Sequence, residues 1–469
     1  MIDADQILRS HGPLPGTSYR RTDYGNAERL VWRHGTDLRH CHMWQTWLTW
    51  DGARWCHDDT GEITRYALTT VRAIYTEAAS ADDPDEAKAL GAWASKSESD
   101  NRVRAMLSLA RALRPVPVLP TDLDQHPWLL TVSNGTLDLR TGALRPHDRD
   151  DLVTKLAPVA YDPDAQAPAW TKFLDRVTDH DPDLSGYLQR VTGYCLTGDT
   201  SEQAIFIPYG NGANGKSVML AILRALVGDY GMEAPRDLLV IKPSGQRPDD
   251  LAALRGARLV TAIESAGGQR LDESMIKQFT GDDLVPARYL YGKPFTFRPE
   301  GKLWLATNHK PQIRGTDDGI WRRIHLIPFT VQIPEAERDR HLTGKLRAEL
   351  PGILAWAVRG CLDWIAGGLA PPKAVTGATE GYRREQDTLG DFLTACCTTG
   401  EGRWAYSTDL YDAYATYTGE RVTRKAFGAA LAEKGFDAGR IGHGGRRAWL
   451  GLGLLTPQDG KDGDTSDAA

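Results

Sequence analysis

The sequence is poor in cysteine, lacks a long apolar run and has no excess of basic charge. Its six cysteines are scattered over 469 residues, a pattern typical of free thiols in a reducing compartment and not of a disulfide framework. No uninterrupted run of about 18 apolar residues occurs, so no membrane-spanning helix is predicted. The first residues include Asp3, Asp5 and His11, where a secretory signal would be basic and then apolar. We therefore expect a cytoplasmic protein with no membrane contact.

The formal charge of the chain is -6, from 56 Lys and Arg against 62 Asp and Glu. This balance excludes a polycation that binds nucleic acid over its whole surface, but it leaves room for a local basic site. At roughly 150 residues per domain, the length predicts about three domains. The hydrophobic fraction of 41% and the charged fraction of 25% are ordinary for a globular protein and exclude disorder throughout.

The first third of the chain changes from a strand pattern to a helix pattern. Apolar and polar residues alternate from about 29 to 60 around the turn dipeptide Asp51-Gly52, which predicts a tryptophan-rich β-meander. Apolar residues then recur at intervals of three and four over 65–79 and 87–113, which predicts helices. This part is therefore expected to be an α+β domain.

Strands alternate with helices between residues 201 and 329, which is the pattern of an α/β sheet with crossover connections. The polar residues 376–385 are interpreted as a connector. Residues 390–454 are interpreted as a small helical domain with a terminal strand pair. The chain is thus predicted to have four parts: an N-terminal α+β domain (1–165), a central α/β domain with flanking helices (166–375), a C-terminal domain (386–456) and an acidic disordered tail (457–469).

The strongest functional signal is a glycine-rich loop between a predicted strand and a predicted helix. In such a G-x-x-x-x-G-K-S loop, backbone N–H groups and the helix N-terminus face phosphate oxygens, the lysine neutralises the β and γ phosphates, and the serine holds magnesium. A glycine-rich turn with an accidental Lys-Ser is the alternative, and the strand and helix around the loop argue against it. We predict a nucleoside triphosphate site formed by Gly210, Asn211, Gly212, Ala213, Asn214, Gly215, Lys216, Ser217 and Val218.

Two further predicted strands end in polar residues that suit nucleotide hydrolysis. The apolar run 258–263 is followed by Glu264, and the run 302–307 is followed by Asn308. Hydrolysis requires an acidic group at a strand end and a group that contacts the γ phosphate. We interpret Glu264 as the acidic residue of a Walker B strand and Asn308 as the γ-phosphate sensor. A helix cap and a turn residue are the ordinary alternatives, and the order of both residues behind the loop favours the functional interpretation.

Taken in order, these motifs resemble those of the superfamily 3 helicases, in particular the phage and plasmid primase-helicases related to the poxvirus primase-helicase. The likeness is strong over about 31–329 and looser beyond. Segments 47–55 and 134–139 resemble the domain that precedes the ATPase in that group. The matching motifs are motif A (210–217), motif B (the strand ending in Glu264), motif B-prime (277–283), motif C (the strand ending in Asn308) and the arginine finger region (321–329).

The resemblance implies an AAA+-like P-loop ATPase core and a hexameric ring of identical subunits, with ATP between subunits and DNA in the central channel. It implies Lys216 on the phosphates, Ser217 and Glu264 near Mg²⁺, and Asn308 as sensor. Arg323 is implied as the finger that reaches a neighbouring subunit, with Arg322 as the competing candidate.

The sequence departs from the family at motif B. Many relatives carry two adjacent acidic residues there, whereas Glu264 is followed by Ser265. This departure leaves open whether Glu264 binds the metal or activates water.

Two segments are candidates for DNA contact. Residues 287–297 predict a hairpin, and in the resembling family such a hairpin projects into the channel. The C-terminal domain has a predicted winged helix with a recognition helix and a wing. An ordinary surface hairpin and a solvated basic face are the alternatives. The predicted DNA-binding residues are Arg288, Tyr291 and Lys293 in the hairpin, Arg424 and Lys425 in the recognition helix, and Arg446 and Arg447 in the wing.

The first functional hypothesis is an ATP-dependent DNA helicase for replication of a phage, plasmid or mobile element in a bacterial host, acting on single-stranded, duplex or forked DNA. The second is a replication initiator or origin-binding scaffold controlled by ATP. The third is a bifunctional primase-helicase, for which Asp122 and Asp124 are the nearest candidate carboxylates. The resemblance offers no polymerase domain before Val31, so any primase or polymerase is expected to be a separate chain.

Overall fold

The computed structural model describes residues 19–235, 238–241, 251–263, 270–281, 283–288, 294–313, 315, 318–419, 422–441 and 445–455. Its helices are Asp23–His34, Glu62–Ala79, Pro84–Ser97, Asp100–Ala110, Pro168–Val177, Pro182–Leu196, Lys216–Val227, Glu273–Thr280, Asp318–Trp321, Leu342–Ala348, Leu350–Gly367, Lys373–Gln386, Thr388–Cys396, Ser407–Thr418 and Arg424–Glu433. The predicted tail 457–469 lies outside the described residues.

The strands are numbered in chain order. They are β1 (Leu38–Cys41), β2 (Thr46–Trp50), β3 (Trp55–His57), β4 (Pro117–Val118), β5 (Leu129–Val132), β6 (Gly135–Asp138), β7 (Ala143–Arg145), β8 (Ile205–Tyr209), β9 (Gly231–Glu233), β10 (Leu259–Ile263), β11 (Val285–Arg288), β12 (Pro294–Phe297), β13 (Lys302–Ala306), β14 (Ile324–Pro328), β15 (Cys397–Tyr406), β16 (Asp437–Ile441) and β17 (Arg446–Leu454).

The predicted N-terminal meander is confirmed for β1 to β3, which pair antiparallel, and β4 adds a parallel edge to β1. The prediction was wrong for residues 29–34, which form the end of the first helix. Thr22 caps that helix by accepting a hydrogen bond from the Gly25 N–H. Ala27, Leu30 and Val31 recur at helical spacing and are buried, so the core face of a helix had been interpreted as strand alternation.

The central part is a parallel sheet of five strands in the order β14-β8-β13-β10-β9. Its strands β8, β13 and β10 are buried on both faces, as expected where helices cover a parallel sheet. The predicted α/β fold with crossover connections is thereby confirmed. Because β14, β8 and β13 are neighbours and parallel, the segments that follow them meet at one edge of the sheet.

The segment interpreted as a polar connector is a helix, Lys373–Gln386. Only two of its described side chains are buried, those of Val375 and Tyr382, which lie two turns apart on the same face. The Tyr382 ring packs edge-on against Trp321 at 5.3 Å, and the Thr379 hydroxyl accepts a hydrogen bond from the Leu326 N–H at 3.0 Å. Sequence pattern missed this helix because one narrow apolar stripe suffices to bind it beside β14.

Among its described residues, the C-terminal part contains three helices and a three-stranded antiparallel sheet in the order β15-β17-β16. The sequence predicted only the β16–β17 pair and missed β15. Most of β15 is polar or glycine and exposed, and its pairing with β17 is interrupted between Thr399 and Trp404. The hydrophobic core of the C-terminal part includes Phe392, Leu410 and Leu452.

Candidate functional site

The loop that joins β8 to the following helix is shaped by glycine. The backbone is left-handed at Gly212 and Gly215, with φ of +95° and +88°. A Cβ on Gly215 would lie 2.6 Å from the Val177 side chain, and a Cβ on Gly210 would lie 2.1 Å from the carbonyl oxygen of Phe329. Glycine therefore allows the loop to close tightly before the helix, whose first N–H groups point back into the loop.

Lys216 is the first residue of that helix and is 5% exposed. Its Nζ donates hydrogen bonds to the Gly210 carbonyl oxygen at 2.6 Å, to Asn214 Oδ1 at 3.1 Å and to Asn308 Oδ1 at 3.0 Å. Burial lowers the pKa of Lys216 to about 8. All three acceptors are neutral oxygens, so a nearby anion would stabilise the charged amine further.

Asn308 is 92 residues away from Lys216 in the sequence, and the pairing of strands in the sheet brings the two residues together. It follows β13, which pairs in parallel with β8, and the Thr307 N–H donates to the Pro208 carbonyl oxygen at 3.0 Å. The segment after β14 closes the other side, where Asn214 Nδ2 donates to the Phe329 carbonyl oxygen at 3.1 Å. Strand order thus assembles the loop and Asn308 into one site.

The other predicted residues of this site differ in exposure. Asn211, Ala213 and Ser217 are exposed, Asn214 is buried and Val218 is half-buried. Ser217 lies in the first turn of the helix. The predicted partner of Ser217 in metal binding, Glu264, lies outside the described residues, and β10 ends one residue before it.

The hairpin predicted for DNA contact has its two strands in place. β11 and β12 pair antiparallel, with Arg288 opposite Pro294 at the outer end. Arg288 is exposed there. Tyr291 and Lys293, predicted for the tip of this hairpin, lie outside the described residues.

The structure orients the pair Arg322 and Arg323, which the sequence could not. Arg323 is 8% exposed, and its guanidinium donates to Thr280 Oγ1 at 3.2 Å, to Gln203 Oε1 at 3.1 Å and to the Gly319 carbonyl oxygen. Arg322 is exposed and donates to Gln203 Oε1 at 3.0 Å. The choice of Arg323 as finger, with Arg322 as the competing candidate, stays a prediction; in this chain Arg322 is exposed and Arg323 is buried.

Five exposed cations surround a cleft of about 700 Å³ in the C-terminal part, which we call the basic cleft. The Arg446 guanidinium stacks 3.9 Å from the centre of the Tyr406 ring, which fixes its position. Arg440 was not among the predicted DNA-binding residues. The alternation of side chains along β16 places Arg440 beside the wing. The cations of the basic cleft are Arg424, Lys425, Arg440, Arg446 and Arg447.

Two family descriptions match parts of the chain. Residues 27–179 match the family described as D5 N terminal like, and residues 209–323 match a family of unknown function.

Three viral relatives match by sequence over about half of the chain or more. A candidate helicase of Acanthamoeba polyphaga mimivirus is 30% identical over 313 residues, 60% of this chain and 32% of the relative. A candidate primase of African swine fever virus is 26% identical over 298 residues, which are 58% of this chain and 31% of the relative. A candidate helicase of Invertebrate iridescent virus 6 is 25% identical over 273 residues, which are 54% of this chain and 28% of the relative. The chain is thus similar to viral proteins that carry helicase and primase names. It spans about a third of the length of the relatives that it matches.

The fold of the chain is similar to that of the C-terminal region of NrS-1 in its apo A form. The TM-score is 0.50 at 10% sequence identity, over 92% of this chain and 100% of that chain. At this identity the likeness concerns the fold alone. Among the helices that the structure describes, none has both the length and the apolar character needed to cross a membrane.

The carboxylates considered for primer synthesis were Asp122 and Asp124. Both make local hydrogen bonds. Asp122 Oδ2 accepts from the Leu119 N–H at 2.9 Å. Asp124 accepts from the N–H of Thr154 at 2.7 Å and from its hydroxyl at 2.6 Å. Within the described residues, no group of three or more His, Cys, Asp or Glu is placed to hold a metal ion. Asp122 thus stabilises a local turn, and Asp124 stabilises the contact of its loop with Thr154.

Proposed function

We propose that this chain is an ATP-dependent DNA helicase in the replication of a viral, phage or plasmid genome, and that it works as a ring of identical subunits. The observation that carries the proposal is the contact of Lys216 with Asn308 at 3.0 Å, at the edge where the loop after β8 meets the end of β13. A lysine at a helix N-terminus beside a polar strand end is the arrangement that phosphoryl-transfer ATPases require.

The residues present fit ATP with Mg²⁺. The buried amine of Lys216 bonds only to neutral acceptors in the described part of the chain, and the loop backbone is left-handed at Gly212 and Gly215. Lys216 would hold the phosphates, with Ser217 and Glu264 as the candidate metal-binding residues. Bound Mg²⁺-ATP would supply the transferable phosphoryl group. Asn308 would orient the lysine and contact the γ phosphate.

Arg322 is proposed as the arginine finger. It lies at the amino end of β14, is exposed, and is held by Gln203. In a ring, a guanidinium presented at the surface could stabilise charge at the nucleotide of a neighbouring subunit. Arg323 instead joins β14 to Thr280 inside its own subunit, so its proposed role is to hold Arg322 in place.

DNA contact is proposed at two places. The β11–β12 hairpin would carry Arg288, Tyr291 and Lys293 toward the channel, and a ring would repeat this weak contact in every subunit. The basic cleft would contact backbone phosphates of duplex or single-stranded DNA in a C-terminal winged-helix-like domain, with the helix Arg424–Glu433 as its recognition helix.

A complementation experiment tests the shared active site. Lys216→Ala and Arg322→Ala proteins are each expected to lose DNA-stimulated ATP hydrolysis. Mixed in equal amounts, they should recover roughly a quarter of wild-type activity, because one interface in four then combines an intact lysine with an intact finger. No recovery would contradict a site shared between subunits. Arg323→Ala is expected to lower the melting temperature instead, since it removes a buried hydrogen-bonded cation.

A fork substrate separates the helicase from the initiator hypothesis. Strand separation that requires Lys216 supports the helicase. ATP-dependent assembly on DNA without strand separation would support an initiator, for which the basic cleft is the favouring feature. Primer synthesis by this chain alone would support a bifunctional primase-helicase, which the local hydrogen bonds of Asp122 and Asp124 do not favour.

A further inference from the structure

The two arginines that precede β14 share one side-chain acceptor. Gln203 Oε1 accepts a hydrogen bond from Arg322 at 3.0 Å and another from Arg323 at 3.1 Å. An amide oxygen has two lone pairs, so it can hold both guanidinium groups at once. Among the residues that the structure describes, Arg322 has no other side-chain partner. Arg323 also donates to Thr280 Oγ1 and to the Gly319 carbonyl oxygen, so it is fixed independently of Arg322.

The pairing of β8 with β14 brings these three side chains together. The two strands are parallel, with Ile205 opposite Ile324, and the Ile205 N–H donates to the Arg323 carbonyl oxygen at 2.7 Å. Gln203 lies two residues before β8, and Arg322 lies two residues before β14. Both residues therefore lie at the amino ends of neighbouring parallel strands.

This edge of the sheet is opposite to the edge that carries the glycine-rich loop. The loop follows β8, and Lys216 and Asn308 meet at the carboxyl ends of the strands. β8 has five residues, which span about 16 Å at the usual rise per strand residue. Arg322 is thus a strand length away from the predicted nucleotide site of its own subunit. That distance suits a residue that serves the site of another subunit.

Gln203 belongs to a turn that is anchored by its neighbours. Its φ is +50°, a left-handed value that residues other than glycine rarely adopt. The Gln203 N–H donates to the Thr200 carbonyl oxygen at 3.0 Å. The side chain of Glu202, the preceding residue, accepts a hydrogen bond from Trp364 Nε1 at 2.7 Å. The acceptor that Arg322 contacts is therefore carried by a fixed piece of backbone.

We propose that Gln203 is a positioning residue for phosphoryl transfer, which holds Arg322, through a neutral oxygen, where it can serve the nucleotide of a neighbouring subunit. This proposal rests on the proposed function, because it requires Arg322 to be the finger. A cation that is already in place stabilises transition-state charge without a cost of reorganisation. A neutral acceptor leaves the charge of the guanidinium intact, whereas a carboxylate in its place would pair with that charge.

The first test removes the acceptor and keeps the shape of the side chain. Gln203→Met has nearly the same length but no amide oxygen. The kcat of DNA-stimulated ATP hydrolysis is expected to fall about tenfold, while KM for ATP stays within about twofold. This split follows because a finger acts on the transition state and not on the bound substrate. Wild-type kcat in Gln203→Met would overturn the proposal.

The matched control for this variant is Gln166→Met. Gln166 is exposed, and its side-chain amide donates to the Asp164 carbonyl oxygen at 2.9 Å. Its replacement is expected to leave both kcat and KM unchanged. An equal loss of kcat in Gln166→Met would show a general effect of the substitution and would overturn the role of Gln203.

Mixed rings test which half of the shared site Gln203 belongs to. Gln203→Met mixed in equal amounts with Lys216→Ala should recover roughly a quarter of wild-type activity, because one interface in four then joins an intact lysine to an intact finger. Gln203→Met mixed with Arg322→Ala should give no more than the mean of the two proteins alone, since both lack the same half. Recovery in the second mixture, or none in the first, would overturn the proposal.

A carboxylate at the same position tests the neutral oxygen and remains informative if Gln203→Met does not fold. Gln203→Glu keeps the acceptors of both arginines, so its melting temperature should equal or exceed that of wild type. Its kcat should nevertheless fall about fivefold, because the carboxylate competes with the transferring phosphate for Arg322. A wild-type kcat in Gln203→Glu would overturn the proposal.

The outcomes separate this proposal from the proposed function. If Arg322→Ala retains DNA-stimulated hydrolysis, the assignment of the finger fails, and the role of Gln203 fails with it. If Arg322→Ala loses hydrolysis and complements Lys216→Ala while Gln203→Met keeps the kcat of wild type, only the role of Gln203 fails.

Discussion

In the glycine-rich loop 210–217 a single cation, Lys216, is 5% exposed and donates to three neutral oxygens. In the basic cleft, five exposed cations surround about 700 Å³ of open volume. Burial makes the charge of Lys216 strong toward a fitting anion and sensitive to pH, because desolvation lowers its pKa to about 8. Exposure makes the charges of the cleft individually weak, additive and sensitive to salt. The same kind of charge is thus expected to give selectivity in one region and general attraction in the other.

The largest expected effect comes from removing the buried cation. Lys216→Ala should reduce ATP hydrolysis by at least about 100-fold, because it deletes a preorganised charge at the phosphates. Steady-state hydrolysis with and without DNA measures this loss, and circular dichroism checks the fold. The matched control is Lys373→Ala, which removes an exposed lysine at the start of the helix Lys373–Gln386. Normal turnover by Lys216→Ala would refute the site.

The pH dependence of nucleotide binding sharpens the contrast between the two regions. Below pH 8 the Lys216 amine is protonated and attracts phosphate, and above pH 8 it becomes neutral, so affinity should fall toward tenfold per pH unit. Titration of a fluorescent nucleotide from pH 6.5 to 9.5 measures this. Lys216→Arg should flatten the profile, since arginine stays charged.

DNA binding through the proposed contacts of the cleft arginines should by contrast change little over the same pH range. Constant nucleotide affinity of the wild type up to pH 9.5 would contradict the low pKa of Lys216.

The smallest effects are expected in the cleft. Arg446→Ala and Arg447→Ala should each weaken DNA binding several-fold and reduce the salt slope by about one. Nucleotide affinity should not change, and this independence tests the separation of the two regions. Arg403→Ala is the matched control, since Arg403 is exposed on β15 of the same part but lies outside the cleft. An equal loss in Arg403→Ala would indicate diffuse attraction instead of a defined cleft.

Local sequence signals predicted what depends on neighbours in the chain. The spacing of Gly210, Gly215 and Lys216 between an apolar run and an amphipathic helix indicated the loop, and the structure shows why glycine is needed at its two ends. The alternation of helices and strands predicted the parallel sheet. The sequence pattern did not predict two elements that depend on tertiary packing of a few residues. They are the helix of Val375 and Tyr382 and the exposed strand β15.

The sequence by itself determined the glycine-rich loop and the position of its lysine, because such a loop is built from consecutive residues whose backbone angles and charges are local properties. Only the tertiary structure decided which distant groups join it. The adjacency of β8 and β13 brings Asn308 to Lys216, and the packing of β14 buries Arg323 and leaves Arg322 outside. Neighbouring residues in a chain can point to opposite environments, and burial, which sets both pKa and reach, is a property of the fold.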